Sequence, residues 1–409
     1  MSVKKSLKNS VWEGFALGTQ MLISLFIIRV INQRFGIADF GTYNFWVTLV
    51  SYMGIIIDLG LNLTGIREIG VYQRTKQHKK LAVLYSSSTV LRGIGAIIAS
   101  LVGIFLFYIG KLDMIQLLLV LSGAVYATFE STWFLQGFNE YKVRSGLIVL
   151  SQVANLLIAM RVTSSVLIIV LLRNIVFILR DFFAFLYVGI KYKAFTFVKV
   201  KEVVRLLKET FINHITLLMS IGYKRAYPLI LRFVLDKTTY GILSAIYRIL
   251  NIGLTVQSMF TKPFFSTMTH IKDRAKLFFM TWFSTALTVT ASVGAMVFIF
   301  VTPLFSLIYP GLGHSGVVLQ YFIGAVIALF GLSVSGHLNM IVLILHHYDK
   351  QLAKIMMIKV FLTLAMLYIF MRFDIMYMTF WLFAPMWISE FINIVYDIYV
   401  FRNRKIQQK

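Results

Sequence analysis

Long apolar runs, broken at short intervals by clusters of basic residues, dominate the chain. Twelve such segments can be read, at roughly 9–31, 40–66, 81–110, 114–136, 145–160, 166–190, 209–231, 241–261, 277–301, 317–345, 355–371 and 375–400. A helix needs ~20 predominantly apolar residues to cross the hydrocarbon core of a bilayer, and most of these segments reach that length. The pair 145–160 and 166–190 is parted only by Arg161 to Ser165. Lys4, Lys5 and Lys8 precede the first segment as they would in a signal peptide. Its apolar stretch is too long for one, and no small-x-small cleavage site follows, so it reads as an uncleaved span. The pattern predicts an all-α polytopic membrane protein of about twelve transmembrane helices.

No connection between segments is longer than 191–208, which leaves no room for a soluble catalytic domain. Within that connection Val200, Val203, Val204 and Leu207 recur at helical spacing beside Lys199, Lys201, Arg205 and Lys208. That predicts a short helix lying in the cytoplasmic interface. It sits at the midpoint, so the expected organisation is a six-helix lobe over 1–190, a linker helix over 191–208, a second six-helix lobe over 209–401 and a tail over 402–409. A weak repeat fits this division. Arg34-Phe35 leads to Phe40-Gly41, and Arg232-Phe233 leads to Tyr240-Gly241. Halves with an even number of spans insert in the same direction, which predicts a pseudo-two-fold axis along the membrane normal. Gly14 and Gly18, and then Gly95, Ala99 and Gly103, allow close helix packing.

Composition narrows the class. Apolar residues make up 59% of the chain and charged ones 14%, against ~25% charged in soluble domains. That excludes an ordinary cytosolic enzyme, a disordered chain and a secreted disulfide scaffold. There is no cysteine, hence no disulfide and no thiolate chemistry. The net charge of +24 would suggest nucleic acid in a soluble protein. Here its placement decides. With a cytoplasmic N-terminus the inner connections and tails hold 27 Lys and Arg, the outer ones 7, and six stay inside spans, accounting for all 40. This is the positive-inside pattern with both termini cytoplasmic. The charge belongs to topology and to anionic lipids, not to nucleic acid.

Enzyme motifs are missing. Gly110-Lys111 is followed by Leu112, so the phosphate-loop pattern fails, and there is no HExxH or GxSxG and no clear metal-ligand spacing among the seven histidines. No cofactor and no metal are expected.

The remaining chemistry is the set of ionisable residues inside spans. A charge near the bilayer centre costs from ~3 kcal/mol to above 10, so such residues suggest a lined cavity. The basic ones are Arg92, Arg173, Arg180, Lys224, Arg225 and Arg248. The acidic ones are Glu13, Asp58, Glu130, Asp181, Glu390 and Asp397, several of them near span ends. Basic therefore outweighs acidic at depth, which predicts a central cationic cavity suited to an anionic substrate, phosphate above all. Arg92, Arg225 and Arg248 are its leading members. Plainer readings compete: Arg173 reaches the outer surface, Arg180 pairs with Asp181, and Lys224 and Arg225, about 100° apart on a helix, do not both face one cavity. Pro228 just after them predicts a kink. Glu13 and Asp58 are candidates for ion coupling against a plainer role in helix packing. Trp46, Trp133, Trp381 and Trp387 read as interface anchors.

Several of these residues resemble a known pattern. Phe35-Gly36, Phe40-Gly41-Thr42-Tyr43-Asn44-Phe45-Trp46, Asp58-Leu59-Gly60-Leu61, Gly65-Ile66-Arg67-Glu68-Ile69 and Trp133-Phe134-Leu135-Gln136-Gly137 are similar to the bacterial O-antigen (Wzx-type) flippases. These form the polysaccharide transporter family of the multidrug/oligosaccharidyl-lipid/polysaccharide exporter superfamily. The local signatures cover about the first 150 residues. The resemblance implies two six-helix lobes around a central cavity in the inner membrane. It implies an undecaprenyl-pyrophosphate-linked oligosaccharide as substrate, moved outward by alternating access on an ion gradient in lipopolysaccharide biosynthesis, with contact to polysaccharide polymerase and chain-length proteins. The alternatives are an ion-coupled small-molecule or drug exporter of the same superfamily, and a membrane polymerase or glycosyltransferase acting on lipid-linked sugars. The first calls for a deep acidic site, the second for a large outer loop.

Overall fold

The computed structural model describes residues 3–219, 223–268, 273–313, 315–339, 349–373 and 379–403. Every regular element among the described residues is helical. A first compact unit, Met1–Arg232, contains α1 (Val3–Asp58), α2 (Leu61–Arg74), α3 (His78–Tyr108), α4 (Met114–Phe129), α5 (Thr132–Gly137), α6 (Tyr141–Arg161), α7 (Val166–Lys191), α8 (Val200–Leu217) and α9 (Tyr223–Leu231). A second, Phe233–Lys409, contains α10 (Lys237–Met268), α11 (Arg274–Val301), α12 (Leu304–Ile308), α13 (Gly316–Leu338), α14 (Asp349–Arg372), a 3-10 turn (Thr379–Phe383) and α15 (Ala384–Asn403).

Among the described residues, eight helical stretches are long and apolar enough to cross a membrane, so the chain is a multi-pass membrane protein. The first of them, Gly14–Asp58, holds two of the predicted segments. They are parted at Gly36, whose φ of +81° and ψ of 175° no other residue type adopts easily. The outer faces suit lipid: on α3, Ile97, Leu101 and Phe105 recur every fourth residue at 60–62% exposure.

Two further breaks matter for the site. α1 ends at Asp58, where Leu59 (φ +50°) and Gly60 (φ +72°) turn the chain into α2. α4 ends before Glu130, and α5 starts after Ser131. The predicted segments 40–66 and 114–136 are thus each a helix, a turn and a second helix.

The interfacial helix is longer than expected. α8 runs from Val200 to Leu217 without a stop at 208. Val203, Leu206, Thr210 and His214 form its buried stripe against α2 and α3, while Val200 stays 79% exposed. α9 packs on α1. Both helices belong to the first compact unit, which runs to Arg232. Trp133 and Trp46 are core residues, 2% and 5% exposed, where interface anchors were expected. Trp133 packs edge-on against Phe134 and lies so close to Gly65 that a Cβ there would sit 2.2 Å from its ring.

Candidate functional site

In the first unit the two helix breaks meet one arginine. Arg92 lies mid-way along α3 and is 2% exposed. Its Nη1 donates to the Glu130 carbonyl oxygen, which the end of α4 leaves without a helical partner. Its Nη2 donates to Asp58 Oδ1 and lies 3.4 Å from Glu130 Oε2. The guanidinium also stands 5.6 Å from the Trp133 ring. Next to it the Tyr85 hydroxyl bonds Ser131 Oγ at 3.0 Å and donates to the Phe185 carbonyl at 3.1 Å.

On α7, Arg173 and Arg180 share a face as their spacing predicts, because both lie over Phe177, 4.4 and 4.7 Å from its ring. Arg180 grips its neighbour Asp181 with both arms of its fork, Nε to Oδ1 at 2.8 Å and Nη2 to Oδ2 at 2.9 Å. Glu130 is within electrostatic reach of this pair. Arg173 reaches the Asn174 amide oxygen at 3.4 Å. So Arg92 and Arg180 together answer Asp58, Glu130 and Asp181. Among the described residues, Arg92 and Arg180 thus each stand beside an acid, Asp58 and Asp181, and Glu130 lies next to Arg92. Asp58 is engaged in the same way, as the partner of Arg92. The side chains of Glu13, Lys224 and Arg225 lie outside the described residues.

In the second unit Lys359 is buried at 3% exposure and lies 2.7 Å from Glu390 Oε2, to which Ser335 also donates. This pair joins α13, α14 and α15. A second buried knot centres on His337 of α13, whose Nδ1 meets Thr261 Oγ1 at 3.1 Å and Nε2 meets Ser284 Oγ at 2.7 Å.

α10 has a different character on its two sides. Tyr240, Leu243, Tyr247, Leu250 and Gly253 are buried, and a Cβ on Gly253 would sit 2.5 Å from Leu329 of α13 and 3.1 Å from the Ser292 carbonyl of α11. Arg248, Asn251, Thr255 and Ser258 recur at i, i+3, i+7 and i+10, within an arc of about 80°. Asn251 and Ser258 are exposed, and Arg248 and Thr255 partly so. Among the described residues no carboxylate is within ion-pair distance of Arg248. This helix thus carries a polar, accessible stripe ~15 Å long inside a membrane span.

The family model described as "Polysaccharide biosynthesis protein" matches residues 6–271. The chain belongs to that family. A Shigella flexneri protein named "Putative O-antigen transporter" is 32% identical over 124 residues, a stretch that covers 30% of this chain and only 28% of the Shigella protein's own length. Among solved structures, an inward-facing multidrug resistance MATE family transporter of the MOP superfamily matches with a TM-score of 0.64 at 11% identity, covering 95% of this chain and 97% of that one. A MOP superfamily transporter from Pyrococcus furiosus, described as having a binding pocket of reverse polarity, matches with a TM-score of 0.55 at 11% identity, covering 97% and 94%. A Vibrio cholerae MATE transporter reaches 0.58 at 15% identity, over 98% and 96%. The chain therefore has the fold of MOP-superfamily transporters.

Two features of this family member escape a linear reading. Lys359 stands within a basic cluster after Lys350 and Lys354, which places it in a connection by charge. Its position in the buried i, i+4 run Ile355, Lys359, Thr363 and Leu367 is the signal that it points inward. The α10 stripe is equally visible as a row of polar residues at helical spacing, once Arg248 is not considered alone.

Proposed function

We propose that the protein is a flippase that carries an undecaprenyl-pyrophosphate-linked O-antigen or polysaccharide repeat unit across the inner membrane by alternating access, with both termini cytoplasmic. The observation that carries the reading is the α10 stripe. An arginine and an amide exposed at membrane depth are costly against lipid, and their place is the wall of a wet cavity; the Thr255 and Ser258 hydroxyls beside them donate to carbonyls of their own helix. Their chemistry suits a substrate with phosphate and sugar hydroxyls. A guanidinium takes phosphate oxygens two at a time, and an amide matches a hydroxyl as both donor and acceptor. Family membership and the Shigella relative's name support the same substrate class. Arg225, Lys224 and Arg173 stand in this proposal as further cations on the substrate's path. Arg92 and Arg180 act at one remove, since each would have to release a carboxylate to take up a phosphate. Proposed partners are anionic lipids and the polymerase and chain-length proteins that use the exported unit.

The test replaces Arg248 with Ala and with Lys, and Asn251 with Ala, in a strain lacking the native protein, and scores surface polysaccharide at matched protein abundance. Arg248→Ala is expected to lower export at least tenfold, with partial recovery in Arg248→Lys. Export at the native level in both Arg248→Ala and Asn251→Ala would refute the assignment.

A further inference from the structure

α8 shows a different chemistry on each side. Val203, Leu206, Thr210 and His214 press on α2 and α3. About 95° round the helix, Val200, Val204 and Phe211 form a second apolar row within an arc of about 40°, and all three are exposed. Lys201 and Lys208 border that row, both exposed. On the far side Arg205 pairs with Glu202 at 2.6 Å and with Glu209 at 3.6 Å. One side thus lies on protein, the ion pairs suit water, and the apolar row with its lysine edge lies between them. That is the order of a helix resting in a bilayer surface, apolar side chains inward and lysines at the boundary.

The strap that leads from α7 into α8 extends this surface. Ser86 Oγ of α3 donates to the Ala194 carbonyl and accepts from the Thr196 amide, both at 3.0 Å. Phe195 lies across Gly189, where a Cβ would sit 2.0 Å from its ring. The strap is fastened on both sides of Phe195, and yet Phe197 is fully exposed. Its depth follows from α3. Ser86 lies ~33 Å along that helix from Tyr108, the far end of the span, against ~30 Å of hydrocarbon. The strap therefore meets the membrane at headgroup level. Lys193, Lys199, Lys201 and Lys208 are all exposed, and among the described residues no carboxylate is within ion-pair distance of them. In water Phe197 and the apolar row would form an exposed patch. A second copy of this face would set lysine against lysine. A leaflet of anionic phospholipid offers both the apolar bed and the negative charge.

We propose that Phe197, Val200, Val204 and Phe211 insert into the bilayer surface and that Lys193, Lys199, Lys201 and Lys208 hold the phosphates of anionic phospholipids there. This gives the anionic lipids named above a place on the molecule and fastens one end of the first unit to a leaflet. That the leaflet is the cytoplasmic one rests on the topology proposed above; the lipid contact itself does not.

The chain has no cysteine, so a single introduced one can carry a nitroxide label without interference. Phe197→Cys, Val200→Cys and Val204→Cys are compared with Glu209→Cys in the full-length protein, in nanodiscs of phosphatidylcholine and phosphatidylglycerol. Spin-label saturation reads access to oxygen, which dissolves in lipid, and to a nickel chelate, which stays in water. The first three labels are expected to favour oxygen over nickel several-fold more than the label at 209. The second arm measures Tm in phosphatidylcholine with and without phosphatidylglycerol. Wild type should gain Tm with the anionic lipid, because a ligand of the folded state stabilises it. Lys201→Gln with Lys208→Gln should lose most of that gain and melt as wild type does in phosphatidylcholine alone. Lys76→Gln with Lys79→Gln, the same charge removed more than a Debye length from the headgroups, should keep it. Labels at 197 and 200 as open to nickel as the one at 209 overturn the surface, and so do labels shielded from both reagents, which would mean that protein covers it. An undiminished gain in the Lys201 and Lys208 variant overturns the headgroup contact. Neither readout involves export, so a failure here leaves the proposed function standing, and a failure of export leaves this surface standing.

Discussion

Arg92 and Arg248 are both arginines inside spans, and their surroundings assign them opposite work. Arg92 closes two helix breaks from within, holding Asp58, the Glu130 carbonyl and the Glu130 carboxylate. Removing one side of a buried ion pair costs ~3–5 kcal/mol, because the other side stays charged and desolvated. Arg92→Ala should therefore lower the unfolding midpoint and the cellular abundance sharply, and Asp58→Asn added to it should restore part of the loss in a thermal melt. Arg248 has an accessible side chain, so Arg248→Ala should alter stability by about 0.5 kcal/mol or less while export falls. The two outcomes together separate a structural arginine from one that meets substrate. The difference was legible only in part. Arg180 and Asp181 are neighbours in the chain, so their pairing could be foreseen. The partners of Arg92 are 34 and 38 positions away, and nothing in a linear pattern brings them together.

At the scale of elements, apolar period and length place most helices, and what they miss is where a helix stops short inside an apolar run. The turn at Leu59-Gly60 and the one at Glu130-Ser131 lie inside predicted segments, because neither changes the hydrophobicity. Likewise α8 passes from an interfacial pattern into an apolar one without a break, so charge marks an end that hydrogen bonding does not. α10 shows what local chemistry can specify. Asp236 Oδ1 accepts from the amides of Thr238 and Thr239 at 2.9 and 3.0 Å and caps the helix. Asp236→Ala should cost about 1 kcal/mol. The bonds from Thr239 hold the Asp236 carboxyl below its ordinary value. The cap's contribution is therefore full above the usual carboxylate range and fades as pH falls through the lowered pKa, a trend that melts of wild type and Asp236→Ala at acidic pH will resolve. Further along the helix, Gly253→Ala forces a Cβ against Leu329 and the Ser292 carbonyl. It should cost ~1–3 kcal/mol by overpacking, read as a lower unfolding midpoint.

For the whole molecule, the membrane class and the family were legible in the run of apolar segments and in the motifs of the first 150 residues, and the match over residues 6–271 bears out the family. The partners of Arg92 were not legible, since they depend on which side chains meet across helices. Among the described residues, acids accompany Arg92, Arg180 and Lys359, while Arg248 on α10 has no carboxylate within ion-pair distance. On the proposed function that arrangement separates the tasks: ionic knots hold each unit together, while the α10 stripe would meet a phosphate-bearing, sugar-bearing lipid. The most direct measurement follows the lipid-linked repeat unit itself, in cells lacking the protein and complemented with wild type or with Arg248→Ala at equal abundance. The account predicts that the unit accumulates on the cytoplasmic leaflet in the deletion and in Arg248→Ala and is cleared by wild type. A deletion strain that accumulates no such lipid, or an Arg248→Ala protein that clears it as fast as wild type, would contradict it.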